Sequence, residues 1–358
     1  MLSLTCAVAC TSDPDDLETG TEMAFEAMEV AGSRAVITTS ATLKNRPFML
    51  FGDMYRTGEF YAGRKELFFG RQVTFKNNKW DYGATLYWLM GQEHTFVAIH
   101  PYLDSNSEIS GLEYSDSKVS FTYTLPKSLD DATDILVAAH RRKYYIDSDA
   151  AVRFKFNHLL SCLNIMPALD EVLMYEDETN KVEYPYNKDE YILFQRIELI
   201  GIKTKAAFSF TPEPLGNATS TDGCKVTYEV KDGLYNYTFD YSDKPVAVTN
   251  NKQNVSVFDN NKAVLILPQS FADDSTSEIR LYYSVNDDLV LRKITIPLKG
   301  VTWNVGTNYT YKFTIEKAYT GQIKAGSFTI DIDDPQHMDD EHDDAWVWDG
   351  KTIDFTFD

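Results

Sequence analysis

Apolar and polar residues alternate with a period of two along most of this chain, and clusters of Asn, Asp, Gly and Pro interrupt the alternation at short intervals. The run Val152-Arg153-Phe154-Lys155-Phe156-Asn157-His158 is a clear case, with even positions apolar and odd positions basic or polar until the final histidine. Successive side chains of a strand point to opposite faces, so this pattern puts one set on a core and the other in water. Helical periodicity is scarce, and the 22 tyrosines and 21 phenylalanines suit pleated, half-buried surfaces. Strands are predicted in the first half at 23–30, 47–55, 71–76, 84–88, 94–99, 118–125 and 134–140. In the second half they fall at 152–158, 192–202, 206–211, 226–230, 234–240, 263–267, 278–285, 290–297 and 308–315, with a further segment at 322–332. The turn Lys76-Asn77-Asn78-Lys79 between Phe75 and Trp80 reads as a hairpin. Short strands at this spacing predict an all-β protein with a β-sandwich in each half.

A length of 358 residues suits two domains of about 150–200 residues each. Polarity rises and the pattern breaks around 141–149, which places the domains at 22–147 and 148–332, with an acidic loop and C-terminal strand at 333–358. The formal charge of −20 argues against nucleic acid as a partner, because phosphate binding rests on Lys and Arg. No run of eighteen apolar residues follows Cys10, so no helical membrane span is expected. Four cysteines are too few for a disulfide scaffold; Cys162 and Cys224 either pair or sit as two small core residues.

The N-terminus carries its own signal. Ala7-Val8-Ala9-Cys10 is followed at once by Thr11-Ser12-Asp13-Pro14-Asp15-Asp16. Small residues flanking a modest apolar one, then Cys, resemble a bacterial lipobox, in which the thiol is acylated. Residues 1–9 are then a residual signal peptide, although they lack a basic n-region and are short for a signal core. Residues 10–21 form a lipidated acidic tether, too poor in apolar area to fold. The plainer reading of Cys10 is an ordinary thiol near a frayed terminus.

Further segments carry a family resemblance. They are Ser33-Arg34-Ala35, 48–55, Trp80 leading into Tyr87-Trp88, 94–102 ending in His100-Pro101-Tyr102, and Asp134-Ile135-Leu136-Val137-Ala138. In the second half they are 154–160, 197–203, Leu267-Pro268-Gln269, and Trp303 through Gly306 to Tyr309-Thr310-Tyr311. In order and spacing the chain resembles the fimbrillin-like family of Bacteroidetes, the type V pilins and their accessory subunits. The resemblance implies two tandem transthyretin-like β-sandwich domains, export as an outer-membrane, surface-exposed lipoprotein, and a structural or anchoring role in an adhesive fimbria. It also implies donor-strand exchange: an Arg-specific protease removes the N-terminal strand, and a strand from a neighbouring subunit fills the groove. The implied partners are other fimbrial subunits, the outer membrane through the lipid, and a host or bacterial surface ligand.

Two parts of the chain fit that scheme. Arg34 is the first basic residue, and it lies in the small-residue stretch Ala31-Gly32-Ser33-Arg34-Ala35, so it is the processing candidate. Arg46 is weaker because Pro47 follows it. At the other end Ile353, Phe355 and Phe357 alternate with polar residues, and Trp346 and Trp348 extend the pattern upstream. These five are the donor-strand candidates; the same strand could instead close its own domain.

Other features carry less. His158, in the apolar phase of its strand, reads as a hydrogen-bonded core histidine. The acidic run 331–344, with His337 and His342, has divalent-cation chemistry but matches no EF-hand loop and reads as solvated. Tyr82, Tyr87 and Trp88 could form a carbohydrate platform, although strand cores account for them. No nucleophile elbow, zinc-protease motif, P-loop or dinucleotide fingerprint occurs, so no catalytic residue, metal or cofactor is assigned and no enzyme activity is expected. The rival reading is a surface glycan-binding lipoprotein of a nutrient-uptake system.

Overall fold

Alternation becomes strand almost throughout the computed structural model, which describes residues 21–30, 38, 41–56, 62–103, 108–145, 151–169, 191–231, 233–249, 256–258, 264–285, 290–317, 323–333 and 356–357. The fold is all-β. Among the described residues the only helical elements are two 3-10 turns, Leu43–Asn45 and Leu129–Asp131.

The first sheet contains, in spatial order, β1 (Ala24–Val30), β9 (Ala151–His158), β8 (Leu136–Lys143), β5 (Glu93–His100), β2 (Phe48–Arg56), β3 (Gly63–Lys76) and β4 (Lys79–Asp81), and β13 (Ser220–Thr221) pairs with β8. A second sheet runs β14 (Cys224–Val230), β12 (Lys205–Pro212), β7 (Lys118–Thr124) and β6 (Ile109–Ser115). A third runs β15 (Leu234–Asp240), β11 (Tyr191–Lys203), β19 (Glu278–Val285), β20 (Arg292–Pro297) and β24 (Thr356–Phe357), with β16 (Val246–Thr249) also on β11. A fourth runs β17 (Val264–Ile266), β10 (Ser161–Leu169), β22 (Asn308–Lys317) and β23 (Ile323–Asp333), and β18 (Gln269–Ser270) pairs with β21 (Thr302–Trp303). Among the described residues only β1–β9 and β10–β22 pair in parallel.

The central strands β2, β5 and β8 of the first sheet are apolar on both faces. Phe48, Leu50, Phe96, Ala98, Leu136 and Ala138 join one core, while Met49, Phe51, Val97, Ile99, Val137 and Ala139 join a second. That is why β2 and β5 read as nearly unbroken apolar runs and not as alternation. The second core continues through Phe121 and Phe208 to Phe194, Leu281, Trp303 and Tyr311 in the later sheets. β9 lies beyond the polar stretch 141–149, yet it hydrogen-bonds to β1 and β8 of the first sheet.

Local chemistry accounts for most elements. Asn77 and Asn78 both take positive φ, the geometry a tight hairpin needs, and they join β3 to β4. Gly52 sits where an added Cβ would lie 2.8 Å from the Phe96 ring and 3.2 Å from the Thr95 carbonyl, so only glycine lets β2 and β5 approach here. Cys162 and Cys224 are both free thiols, one buried on β10 and the other half-buried on β14. Burial pushes both thiols up to about 12, so they are inert core residues.

The segment 84–88 departs from its predicted strand. It makes one isolated bridge, Tyr87 to Glu22, after Gly83 turns the chain at φ 67°. In the other direction, β3 is a fourteen-residue strand of which only the end was read as regular. Gly70 at φ 65° and the shifted pairing with β2 mask its alternation.

Candidate strand-addition groove

β1 lies at the edge of the first sheet. It pairs in parallel with β9, with Ala24 opposite Ala151, Phe25 opposite Val152 and Glu26 opposite Arg153; after a bulge, Glu29 faces Lys155 and Val30 faces Phe156. Its other edge is held by a few bonds from the irregular segment 82–88. The Met23 amide donates to the Leu86 carbonyl at 2.8 Å, and the Trp88 amide donates to the Thr21 carbonyl at 3.0 Å. The Tyr82 hydroxyl donates to the Met23 carbonyl at 2.9 Å.

The side chains do more to hold β1. Phe25 is 3% exposed and sits in an aromatic cage. Its ring stacks on Phe154 at 5.8 Å between centroids and meets Tyr82 edge-on at 5.3 Å, Phe96 at 5.8 Å and Phe68 at 6.2 Å. Met23 is 2% exposed in the same core. Burying each such side chain is worth about 1.5–3 kcal/mol, and aromatic pairs add about 0.5–1.5 kcal/mol. Among the described side chains, Met23 just ahead of β1 and Phe25 within it are therefore the apolar anchors of this strand.

Buried histidines back the groove wall. His94 is fully buried and packs edge-on against Trp88 at 4.8 Å. His100 packs on Phe156 at 6.3 Å. Burial pulls both imidazoles down to about 4; nearby Arg46 adds to the effect at His100, and the Gln92 carbonyl opposes it at His94. The folded pKa lies below the unfolded 6.5, so the unfolded chain binds more protons between those values. Stability is then full above pH 6.5 and lost as pH falls toward 4, by roughly 2–3 kcal/mol per histidine at the acid end. Urea unfolding at pH 7 and pH 4.5 checks this, and His100→Gln is expected to flatten the difference.

His140 and His158 hold carboxylates instead. His140 Nδ1 donates to Asp222 at 2.5 Å, and this bond holds the Asp222 carboxyl below the usual range. His158 Nδ1 donates to Asp134 at 2.8 Å, with both side chains buried, so His158 is the hydrogen-bonded core histidine expected from its strand phase.

The expected site residues are placed unevenly. Cys10, Arg34, Trp346, Trp348, Ile353 and Phe355 lie outside the described residues, as do His337 and His342. β1 ends at Val30, four positions before Arg34. Phe357 lies in β24, where it is opposite Ile294 of β20, with Thr356 opposite Thr295. Of the three aromatics considered for a carbohydrate platform, Tyr82 and Trp88 are 6% and 2% exposed and serve the cage and core, while Tyr87 is 43% exposed. Among the described residues no group of three or more His, Cys, Asp or Glu could hold a metal ion. The Phe25 cage was missed because its walls are scattered along the chain. Only the Met23-x-Phe25 alternation signalled that something is gripped there.

A protein-family model described as fimbrillin-like matches residues 34–332. No curated protein matches the chain. Among solved structures, a candidate cell adhesion protein from Bacteroides uniformis is 15% identical with a TM-score of 0.43, over 86% of this chain and 98% of that one. A second candidate cell adhesion protein, from Bacteroides eggerthii, is 12% identical with a TM-score of 0.38, over 94% and 96% of the two chains. A fimbrial assembly protein from Parabacteroides distasonis is 9% identical with a TM-score of 0.34, over 87% and 95%.

Proposed function

Since the chain belongs to the fimbrillin-like family, we propose that it is a structural or anchoring subunit of an adhesive fimbria, assembled by strand exchange at the β1 groove. In this reading residues 1–9 are signal remnant, Cys10 carries lipid, and 10–21 tether the β-sandwich body to the outer membrane. An Arg-specific protease hydrolyses the bond after Arg34. The first strand then leaves, and the C-terminal strand of a neighbour, drawn from 333–358, takes its place. Main-chain bonds to β9 supply pairing and alternate side chains supply specificity.

The observation that carries this reading is the seating of β1. Met23 and Phe25 fill a cage built by other parts of the chain, and among the described strands β1 pairs in a ladder with β9. Without β1, Phe154, Phe96 and Phe68 would lose the Phe25 ring that covers them, and an apolar patch of that kind attracts another strand. No helix of the described residues is long and apolar enough to cross a membrane, so in this reading the lipid at Cys10 is the attachment. A single chain binds membranes weakly and several bind firmly.

The test is to nick the full chain with an Arg-specific protease and run it unboiled on a denaturing gel. A ladder of SDS-resistant oligomers is expected, and it should vanish in a chain ending at Gly350 that still folds. If the nicked protein stays monomeric, or the truncated chain fails to fold, the strand-exchange reading is wrong.

A further inference from the structure

We propose that Arg153 and Lys155 of β9 form a cationic rail that selects the strand entering the groove, and that the selected strand is segment 352–358 of a second copy of this chain. The inference rests on the strand-exchange reading and adds to it the identity, phase and register of the incoming strand.

β9 alternates buried Val152, Phe154 and Phe156 with exposed Arg153 and Lys155. In the register with β1, Glu26 is opposite Arg153 and Glu29 is opposite Lys155. Opposite charges directly across a strand pair attract, and like charges repel. Arg142 and Arg153 both lie near enough to Asp222 to help hold its carboxyl below the usual range, so this flank of the sheet is cationic. The chain as a whole carries −20, so two copies repel on average and a basic rail at their junction counters that locally.

The C-terminal segment Thr352-Ile353-Asp354-Phe355-Thr356-Phe357-Asp358 repeats the logic of β1. Met23-Ala24-Phe25 and Ile353-Asp354-Phe355 share the spacing of an aliphatic anchor two residues before an aromatic one. With Phe355 in the place of Phe25, opposite Val152, Ile353 takes the place of Met23. A regular strand parallel to β9 then sets Thr356 opposite Arg153, Phe357 opposite Phe154 and Asp358 opposite Lys155. It needs no counterpart to the bulge that β1 carries between Glu26 and Glu29. Asp354 falls opposite Ala151, diagonal to Arg153 on the same face.

A slip of one residue reverses every face. It would drive Asp354 into a cage of Phe68, Tyr82, Phe96 and Phe154, where a carboxylate has no cation to meet. Cage and rail therefore demand the same phase, with aromatics in and carboxylates out. In the isolated chain Thr356 lies opposite Thr295 and Phe357 opposite Ile294 of β20, so this segment must leave β20 to enter a neighbour's groove.

The test uses full-length protein nicked after Arg34, with ladder formation on unboiled gels as the readout. Arg153→Gln with Lys155→Gln, and separately Asp354→Lys with Asp358→Lys, are each expected to slow the ladder about tenfold. Combining Arg153→Asp and Lys155→Asp with the two lysine substitutions is expected to restore it. The rate for unmodified protein should also fall with rising salt. Unfolding midpoints of the uncut variants check folding, and Lys155→Gln alone serves if the double variant is unstable. Wild-type rates in the rail variants, with no salt dependence, would overturn the rail while leaving strand exchange intact. Absence of any ladder from unmodified protein would remove both.

Discussion

Phe25→Ala is expected to lower folding stability by about 3–5 kcal/mol, measured by urea unfolding of the uncut chain. The side chain is 3% exposed, and its four aromatic neighbours, on β3, β5, β9 and the segment 82–88, cannot all close on the void. Phe154, stacked on it at an interplanar angle of 9°, loses its partner outright. Phe25→Leu keeps most of the apolar volume and is expected to lose less, about 1–2 kcal/mol. The same substitution separates a plug from an ordinary core strand. If β1 is displaced during assembly, a weakened plug leaves faster, and Phe25→Ala cut at Arg34 polymerises sooner than the parent. If β1 is a permanent core strand, the variant is merely less stable and aggregates without an SDS-resistant ladder.

Asp134→Ala is expected to be as damaging, at about 3–5 kcal/mol, for a different reason. Asp134 and His158 are 4% exposed each and joined by a 2.8 Å hydrogen bond from Nδ1. His158 lies opposite Leu136 at the junction of β8 and β9, so the pair pins the strand that carries the rail and the cage wall. Removing the carboxylate leaves a buried imidazole donor without an acceptor. Asp134→Asn keeps an acceptor of the same shape and is expected to lose about 1–2 kcal/mol, while replacing both partners by apolar residues should recover part of the loss. A double-mutant cycle on Asp134 and His158, read by urea unfolding, measures the coupling.

How much of this was legible follows from what kind of contact each feature is. β9 was readable because one face is buried and the other wet, so Phe154 and Lys155 declare their directions locally. The hairpin at Asn77-Asn78 was readable because turn chemistry is local. β10 was not read, since Ser161–Leu169 is buried on both faces over most of its length and carries no alternation. The Phe25 cage joins positions 25, 68, 82, 96 and 154, and no local pattern links them. Asp134 and His158 are 24 residues apart and meet only because β8 and β9 are antiparallel neighbours. Arg153 and Lys155 were visible as the wet face of a strand, but their meaning depends on which strand lies alongside.

The central claim is that β1 is an exchangeable occupant of its groove. Intact mass of the SDS-resistant dimer, formed by nicking the full chain after Arg34, tests it most directly. The account predicts that fragment 1–34 is missing from at least the subunit that accepts the neighbouring strand. A stable dimer that retains fragment 1–34 in both subunits would contradict it.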